Sequence, residues 1–478
     1  MTAPKQGHHQ WPVVGENPSS AATLAPRTPG GTDHSSYMTG VLLAIAYSAL
    51  LLYAMRRIPF FAQVPGLPYG WVAGLFVLRI GAGTLLAVVY THIYPERAMA
   101  DVFKYFDDSA HMFKALPEAP MDYLRMLFGI GNDTPYFHER YYDAMNNWVR
   151  HYESNLYNDA HTIIRFNAFV RLFSFGEFHV HTVASAFLSL TGSVGIHRAF
   201  VRALPGMERL LVAAVFLVPS VVFWASGVIK ESLLFFGIGM LVYQLHRGSS
   251  GRVGPWGVAL LLFNMVMLFF LKFYVLMSLL PAIVLLVWAR GAERPALWAK
   301  ALIVYGSMVV AGLNLHHILP GWDVLGILTM KQRDFVGLAL KMDSGSFVMP
   351  ELLLPEVWLF AKQAPYALFS TLAGPLVHVG GGGLGLISAV ENAAILFFLG
   401  LCVVHHRPWR TVDPALLLSL LLYVALLALV IGWTTPVMGA VVRYRTPLLP
   451  FLLIAGLLIL DHTRLMARWP WLRRIIAP

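Results

Sequence analysis

The stretch PALLLSLLLYVALLALVIG, residues 414–432, contains no Asp, Glu, Lys or Arg. A helix needs roughly 20 apolar residues to cross a bilayer, and this run supplies that length without interruption. Read outward with a window of about 19 residues, comparable runs recur near 38–55, 71–93, 180–200, 209–226, 228–246, 254–271, 273–289, 297–315, 386–404 and 446–461. They predict an all-α fold: a polytopic membrane helical bundle of about eleven spans. The composition agrees. Of 478 residues, 57% are hydrophobic and 13% charged, about half the charged share of a soluble domain. Disorder, collagen and a disulfide-stapled secreted fold are excluded. The single cysteine, Cys402, lies in an apolar run and reads as a buried core residue. The net charge of +10 does not point to nucleic acid, because the basic residues lie in the connections between apolar runs.

Those basic residues sort by side. Arg56 and Arg57, then Arg198, Arg202 and Arg209, then Arg247 with Arg252, Arg290 with Arg294, and Arg407 with Arg410 fall in alternate connections. Arg464, Arg468, Arg473 and Arg474 fall in the tail after the last run. Short Arg-rich connections stay in the cytoplasm, so the C-terminus is expected inside and the N-terminus outside. Residues 1–37 form a polar tail rich in Pro, Ser, Gly and Thr, read as disordered; residues 38–478 form the membrane domain. Two long connections, 94–179 and 316–385, then fall on the extracytoplasmic side. Within them, 162–173 (TIIRFNAFVRLF) and 355–369 (PEVWLFAKQAPYALF) read as amphipathic helices along the interface. The glycines at 380–383 read as a joint before the ninth span.

Three charged stretches could carry chemistry. In DVFKYFDDSA (101–110), Asp101, Lys104, Tyr105 and Asp108 share one helical face, with Met99, Phe103, Phe106, Ala110 and Phe113 on the rest. A carboxylate held against apolar walls suits a general base; the competing reading is a solvated face with an internal Asp–Lys pair. In WASGVIKE (224–231), Lys230 and Glu231 sit at a turn between apolar helices, where charges are costly and often functional; the alternative is a pair of snorkelling side chains. In RYRTPLLP (443–450), Arg443 and Arg445 flank Tyr444 on the outer side and break the positive-inside pattern. An anionic partner explains them, since Arg matches phosphate oxygens; contacts to outer-leaflet headgroups, or pairing with loop carboxylates, are the alternatives. Lys272, in the outer turn FFLKFY (269–274), is a further outer cation. Arg79, inside the second run, is expected to snorkel or pair. Glu391 is an intramembrane carboxylate without an assignable partner. The pairs His316 with His317 and His405 with His406 read as loop or interfacial histidines, because adjacent residues point in different directions on a helix, and no metal ligand set is assigned.

At these residues the chain resembles the GT-C glycosyltransferases, multi-pass enzymes that take a sugar from a polyprenyl-phosphate carrier outside the cytoplasm. Residues 101–110 are similar to the acidic first-loop motif of their mannosyltransferases, 224–231 to their Trp/Ser/Gly…Lys-Glu stretch, and 443–450 to their Arg-Tyr-x-x-Pro…Pro segment. A strict Asp-x-Asp is absent, so the base stays open between Asp101 and Asp108. The resemblance implies an enzyme of the inner membrane, in cell-envelope polysaccharide synthesis, with its active face periplasmic. It implies a polyprenyl-phosphate sugar donor, a glycan, lipid or protein acceptor, and surrounding membrane lipids. Lys104, Tyr105, Lys230, Glu231, Lys272, Arg443, Tyr444 and Arg445 would bind substrate. No cofactor is demanded; a divalent cation, Mg²⁺ or Mn²⁺, bridging phosphate and aspartate is left open. An O-antigen polymerase or ligase, and a lipid-linked saccharide flippase or transporter, are the rival readings.

Overall fold

A chain that leaves water must satisfy its backbone N–H and C=O groups internally, and a helix does so within one segment. The computed structural model describes residues 34–93, 97–149, 157–248, 251, 254–378 and 382–472, and among these it is helical, with isolated bridges and no strand. The principal helices of the first half are α1 (His34–Arg57), α2 (Tyr69–Ile93), α3 (Asp101–Glu118), α4 (Pro120–Phe128), α5 (Ala160–Ser174), α6 (Phe178–Phe200), α7 (Glu208–Phe216), α8 (Pro219–Trp224) and α9 (Lys230–Gly248). There follow α10 (Pro255–Gly291), α11 (Leu297–Ile318), α12 (Val324–Lys341), α13 (Val357–Leu372), α14 (Gly383–Val404), α15 (Pro414–Thr434), α16 (Met438–Tyr444) and α17 (Leu449–Ile459).

Six helices, α1, α2, α10, α11, α14 and α15, are long and apolar enough to cross a membrane. The pair α16 and α17 makes one further broken candidate, bent by 64°. The expected number of about eleven is larger for local reasons. The run 180–200 becomes α6, whose buried His181, Thr182, Ser185, Ser189, Ser193 and His197 make it less apolar. The run 209–226 divides into α7 and α8, where Pro219, which has no N–H to lose, opens a new helix. The runs 254–271 and 273–289 join as α10, interrupted at Lys272, whose φ of −154° and ψ of 75° are not helical. The first helix begins at His34 rather than at 38. Residues 1–33 of the tail, two of the four joint glycines, Arg252, Arg473 and Arg474 lie outside the described residues.

The break at Lys272 reverses the chain. Lys272 and Lys230, the first residue of α9, both face Asp159. At the other end, the charges of Arg202 and Arg290 act on His246, near the end of α9. The segments 255–271 and 273–291 therefore form a hairpin whose apex is Lys272. The same far end gathers the arginine-rich connections: Arg198 donates to the carbonyls of Pro59, Phe60 and Gln63, and Arg290 meets Asp413 at 3.4 Å. Asp413 also caps α15 by accepting from Leu416 N at 3.0 Å.

At the centre, α6 and α9 cross with their backbones in contact. A Cβ on Gly239 would lie 1.9 Å from the Gly192 carbonyl oxygen, so only glycine permits this approach. Arg79 does not snorkel: it is buried in α2 and donates to Ser189 at 2.5 Å and Ser193 at 2.8 Å, both on α6. Cys402 is buried and free. The described residues of the 94–179 connection are mostly helical and include α3, α4 and α5. Arg171 ties α5 to α3 by donating to Phe106 O and Ser109 Oγ, both at 2.7 Å. Helix α5 buries Ile163, Ile164 and Ala168 and turns Phe169 and Leu172 outward. Helix α13 packs along α15, with Thr371 Oγ1 donating to Ala428 O at 2.8 Å.

Candidate functional site

Five helix ends and the apex of the α10 hairpin meet at the end of the bundle opposite the arginine-rich connections. Asp101 is the first residue of α3, Asp159 directly precedes α5, Lys230 and Glu231 open α9, and Arg443 lies in the last turn of α16. Trp224 closes α8 beneath them.

Arg443 is the hub. Its Nε and Nη2 donate to both oxygens of Glu231 at 2.7 and 2.9 Å, the bidentate fork arginine makes best. Its Nη1 donates to Asp101 at 2.6 Å. Lys104 binds the other Asp101 oxygen at 2.8 Å, and the Tyr105 hydroxyl donates to it at 3.3 Å. The guanidinium lies 5.6 Å from the Trp224 ring centre. Burial pushes the Asp101 carboxyl up, but Arg443, Lys104 and Lys230 outweigh it and hold the group well below the usual carboxylate range.

A second set adjoins it. Lys230 meets Asp159 at 2.8 Å, and Lys272 approaches its other oxygen at 4.0 Å. The Lys230 ammonium lies 5.1 Å from the Tyr105 ring, and Lys272 lies 4.5 Å from that of Tyr444 and 5.6 Å from that of Tyr274. Lys230, Glu231, Lys272 and Arg443 are all buried. Among the described residues, the ion pairs of the site join four cations (Lys104, Lys230, Lys272, Arg443) to three carboxylates (Asp101, Asp159, Glu231). The surplus is positive, in a setting that weakens screening, so the arrangement suits an additional anion.

Asp108 and Arg445 stand apart from this cluster. Asp108 is fully buried, and its oxygens accept from the backbone amides of Asn146 at 2.8 Å and Asn147 at 2.9 Å. Burial pushes its carboxyl up, with those amides working against the rise. Although it shares a helical face with Asp101, it lies about 10 Å further along the axis. Arg445 points away from Arg443 and donates to Asn392 at 2.5 Å. It approaches Glu391 at 3.5 Å, and Glu391 accepts from Ser220 N at 2.5 Å and Ser220 Oγ at 2.7 Å. That network ties α16, α14 and α8 together. The residues that sequence reading missed are Asp159, Tyr274 and Lys331, the last 5.4 Å from the Tyr274 ring. Among the described residues, no group of three or more His, Cys, Asp or Glu is arranged to hold a metal ion.

Fold and site together define a multi-pass, all-helical membrane protein with a buried ion network at one end of its bundle. No family model, curated protein or solved structure matches the chain.

Proposed function

We propose that this protein is an integral-membrane glycosyltransferase that moves a sugar from a polyprenyl-phosphate donor to an acceptor hydroxyl, with Asp101 as base. The observation carrying this reading is the Asp101–Arg443–Glu231 junction, which unites three motifs separated by up to 342 residues. In this reading the chain makes eleven crossings, counting α6, the α7–α8 pair, α9 and each half of the α10 hairpin. The arginine-rich end is cytoplasmic, the ion network is periplasmic, and the membrane is the inner one.

The chemistry follows from charge. A polyprenyl-phosphate sugar is a phosphodiester with one negative charge, and the departing polyprenyl phosphate carries close to two. Fixed cations near the phosphate therefore gain most as the bond to the anomeric carbon breaks. Glu231 already engages two of the Arg443 nitrogens, so Arg443 acts mainly by orienting Asp101, while Lys230 and Lys272 face the phosphate. The acceptor oxygen attacks the anomeric carbon, its proton passes to Asp101, and the carbon–oxygen bond to phosphate breaks. A single displacement gives inversion. The resting Asp101 is a weak base because its neighbours hold it ionised; an arriving phosphate draws on the same cations and raises its proton affinity.

The test uses protein in lipid nanodiscs supplied with a panel of polyprenyl-phosphate sugars and cell-envelope acceptors. Release of polyprenyl phosphate is followed by mass spectrometry. Asp101→Asn should abolish release in folded protein, whereas Asp108→Asn, once folded, should retain it. If no donor is consumed by the parent protein, the reading fails, and lipid-pyrophosphate saccharides become the substrates to try.

A further inference from the structure

Among the described residues of the site, Asp159 is the one carboxylate that lies outside the three charged stretches. It occupies the position before α5, yet its side chain makes no capping bond to the helix. Its oxygens turn instead to Lys230 at 2.8 Å and Lys272 at 4.0 Å. Both lysines are buried, 4% and 9% exposed, while the Asp159 side chain is 26% exposed. Two buried ammonium groups therefore share one more exposed carboxylate, and Tyr105, Tyr274 and Tyr444 present their ring faces around them. Buried cations without an anion are expensive, so a site built to receive a phosphate needs a stand-in when empty.

We propose that Asp159 is that stand-in: an internal anion that neutralises Lys230 and Lys272 in the resting protein and is displaced by the phosphate of a polyprenyl phosphate. This rests on the glycosyltransferase reading and adds the residue that sets phosphate affinity. The exchange is close to charge-neutral for a phosphodiester, since one negative charge replaces another. A phosphomonoester brings a second charge, so without Asp159 the leaving product would be held too tightly. Asp159 thus competes with product more than it opposes substrate.

The experiment measures binding of polyprenyl monophosphate to the full chain in phosphatidylcholine nanodiscs, with polyprenol as the uncharged control. Asp159→Asn should bind polyprenyl monophosphate about tenfold more tightly than the parent, equivalent to about 1.4 kcal/mol, with polyprenol unchanged. Asp159→Glu should keep the parental affinity. Because Asp159→Asn removes a negative charge from beside two buried lysines, its melting temperature should fall in the absence of ligand and recover when polyprenyl monophosphate is added. A purely structural aspartate would show the fall without the recovery. Equal affinities in parent and Asp159→Asn would overturn the proposal while leaving the glycosyltransferase reading standing. No binding to either protein would overturn both. Recovery by inorganic phosphate at the same concentration would overturn the assignment to a lipid-borne phosphate.

Discussion

Replacing Arg443 with alanine removes the hub of the network and leaves two carboxylates facing each other. Glu231 has a side chain 2% exposed and loses both charge-assisted bonds, at 2.7 and 2.9 Å. Asp101, 26% exposed, loses one at 2.6 Å but keeps Lys104. Removing one partner of a buried pair costs about 3–5 kcal/mol, most of it the stranded charge. Water can reach Asp101, so Glu231 carries the larger share of that loss. Arg443→Lys keeps the charge but forfeits the fork, and should cost roughly 1–3 kcal/mol. Glu231→Gln combined with Arg443→Ala removes the stranded charge, so the double variant should be more stable than the sum of the singles by about 1–3 kcal/mol. The assay is reversible unfolding in mixed micelles, following tryptophan fluorescence, for the parent, the singles and the double. A cost below about 1 kcal/mol for Arg443→Ala, or strict additivity in the cycle, would refute the view that Arg443 and Glu231 form one buried unit.

Three further outcomes follow from the same structure. Because Asp101 is held below the usual carboxylate range, its contribution to stability is complete above the unfolded value of about 3.9 and lost as pH falls through the depressed folded value. Melting curves of the parent and Asp101→Asn should therefore run parallel from pH 5 to 8 and converge only below about pH 4; convergence near pH 6 would contradict the ion-pair geometry. Gly239→Leu should fail to reach the native bundle, or lose well over the 1–3 kcal/mol typical of overpacking, because its Cβ meets the Gly192 backbone. Gly74→Ala, where an added Cβ meets nothing within 4 Å, should be tolerated, as thermal stability in detergent would report.

The helical membrane class was legible from apolar runs alone, and so were the residues that meet at Arg443. Their meeting was not legible, since nothing local ties Asp101 to a residue 342 positions away. Asp159 escaped notice because it stands in a polar, uncharged context; only its place just before the amphipathic run 162–173 hinted at a helix boundary. Arg445 is close to Arg443 in sequence, yet residues two apart on a helix point about 200° apart. Asp108 shares a face with Asp101, but a shared face says nothing of distance along the axis. Helix α12 carries no legible apolar run, because Lys331, Arg333 and Asp334 interrupt its apolar residues. The hairpin of α10 was expected from Lys272 standing alone in an apolar stretch.

The positions of the charges have one more consequence. Asp101, Asp159, Lys230 and Glu231 all stand at or beside the first turn of a helix, and first turns are where helices fray. The ion pairs that bind these starts together are thus also the clasps that keep three helices wound. A ligand that breaks and replaces those pairs alters, in the same act, how tightly the helix starts are held. Occupancy of the network and rigidity of this end of the bundle become a single variable, so that the arrival of such a ligand would be felt along α3, α5 and α9 without any domain having to move.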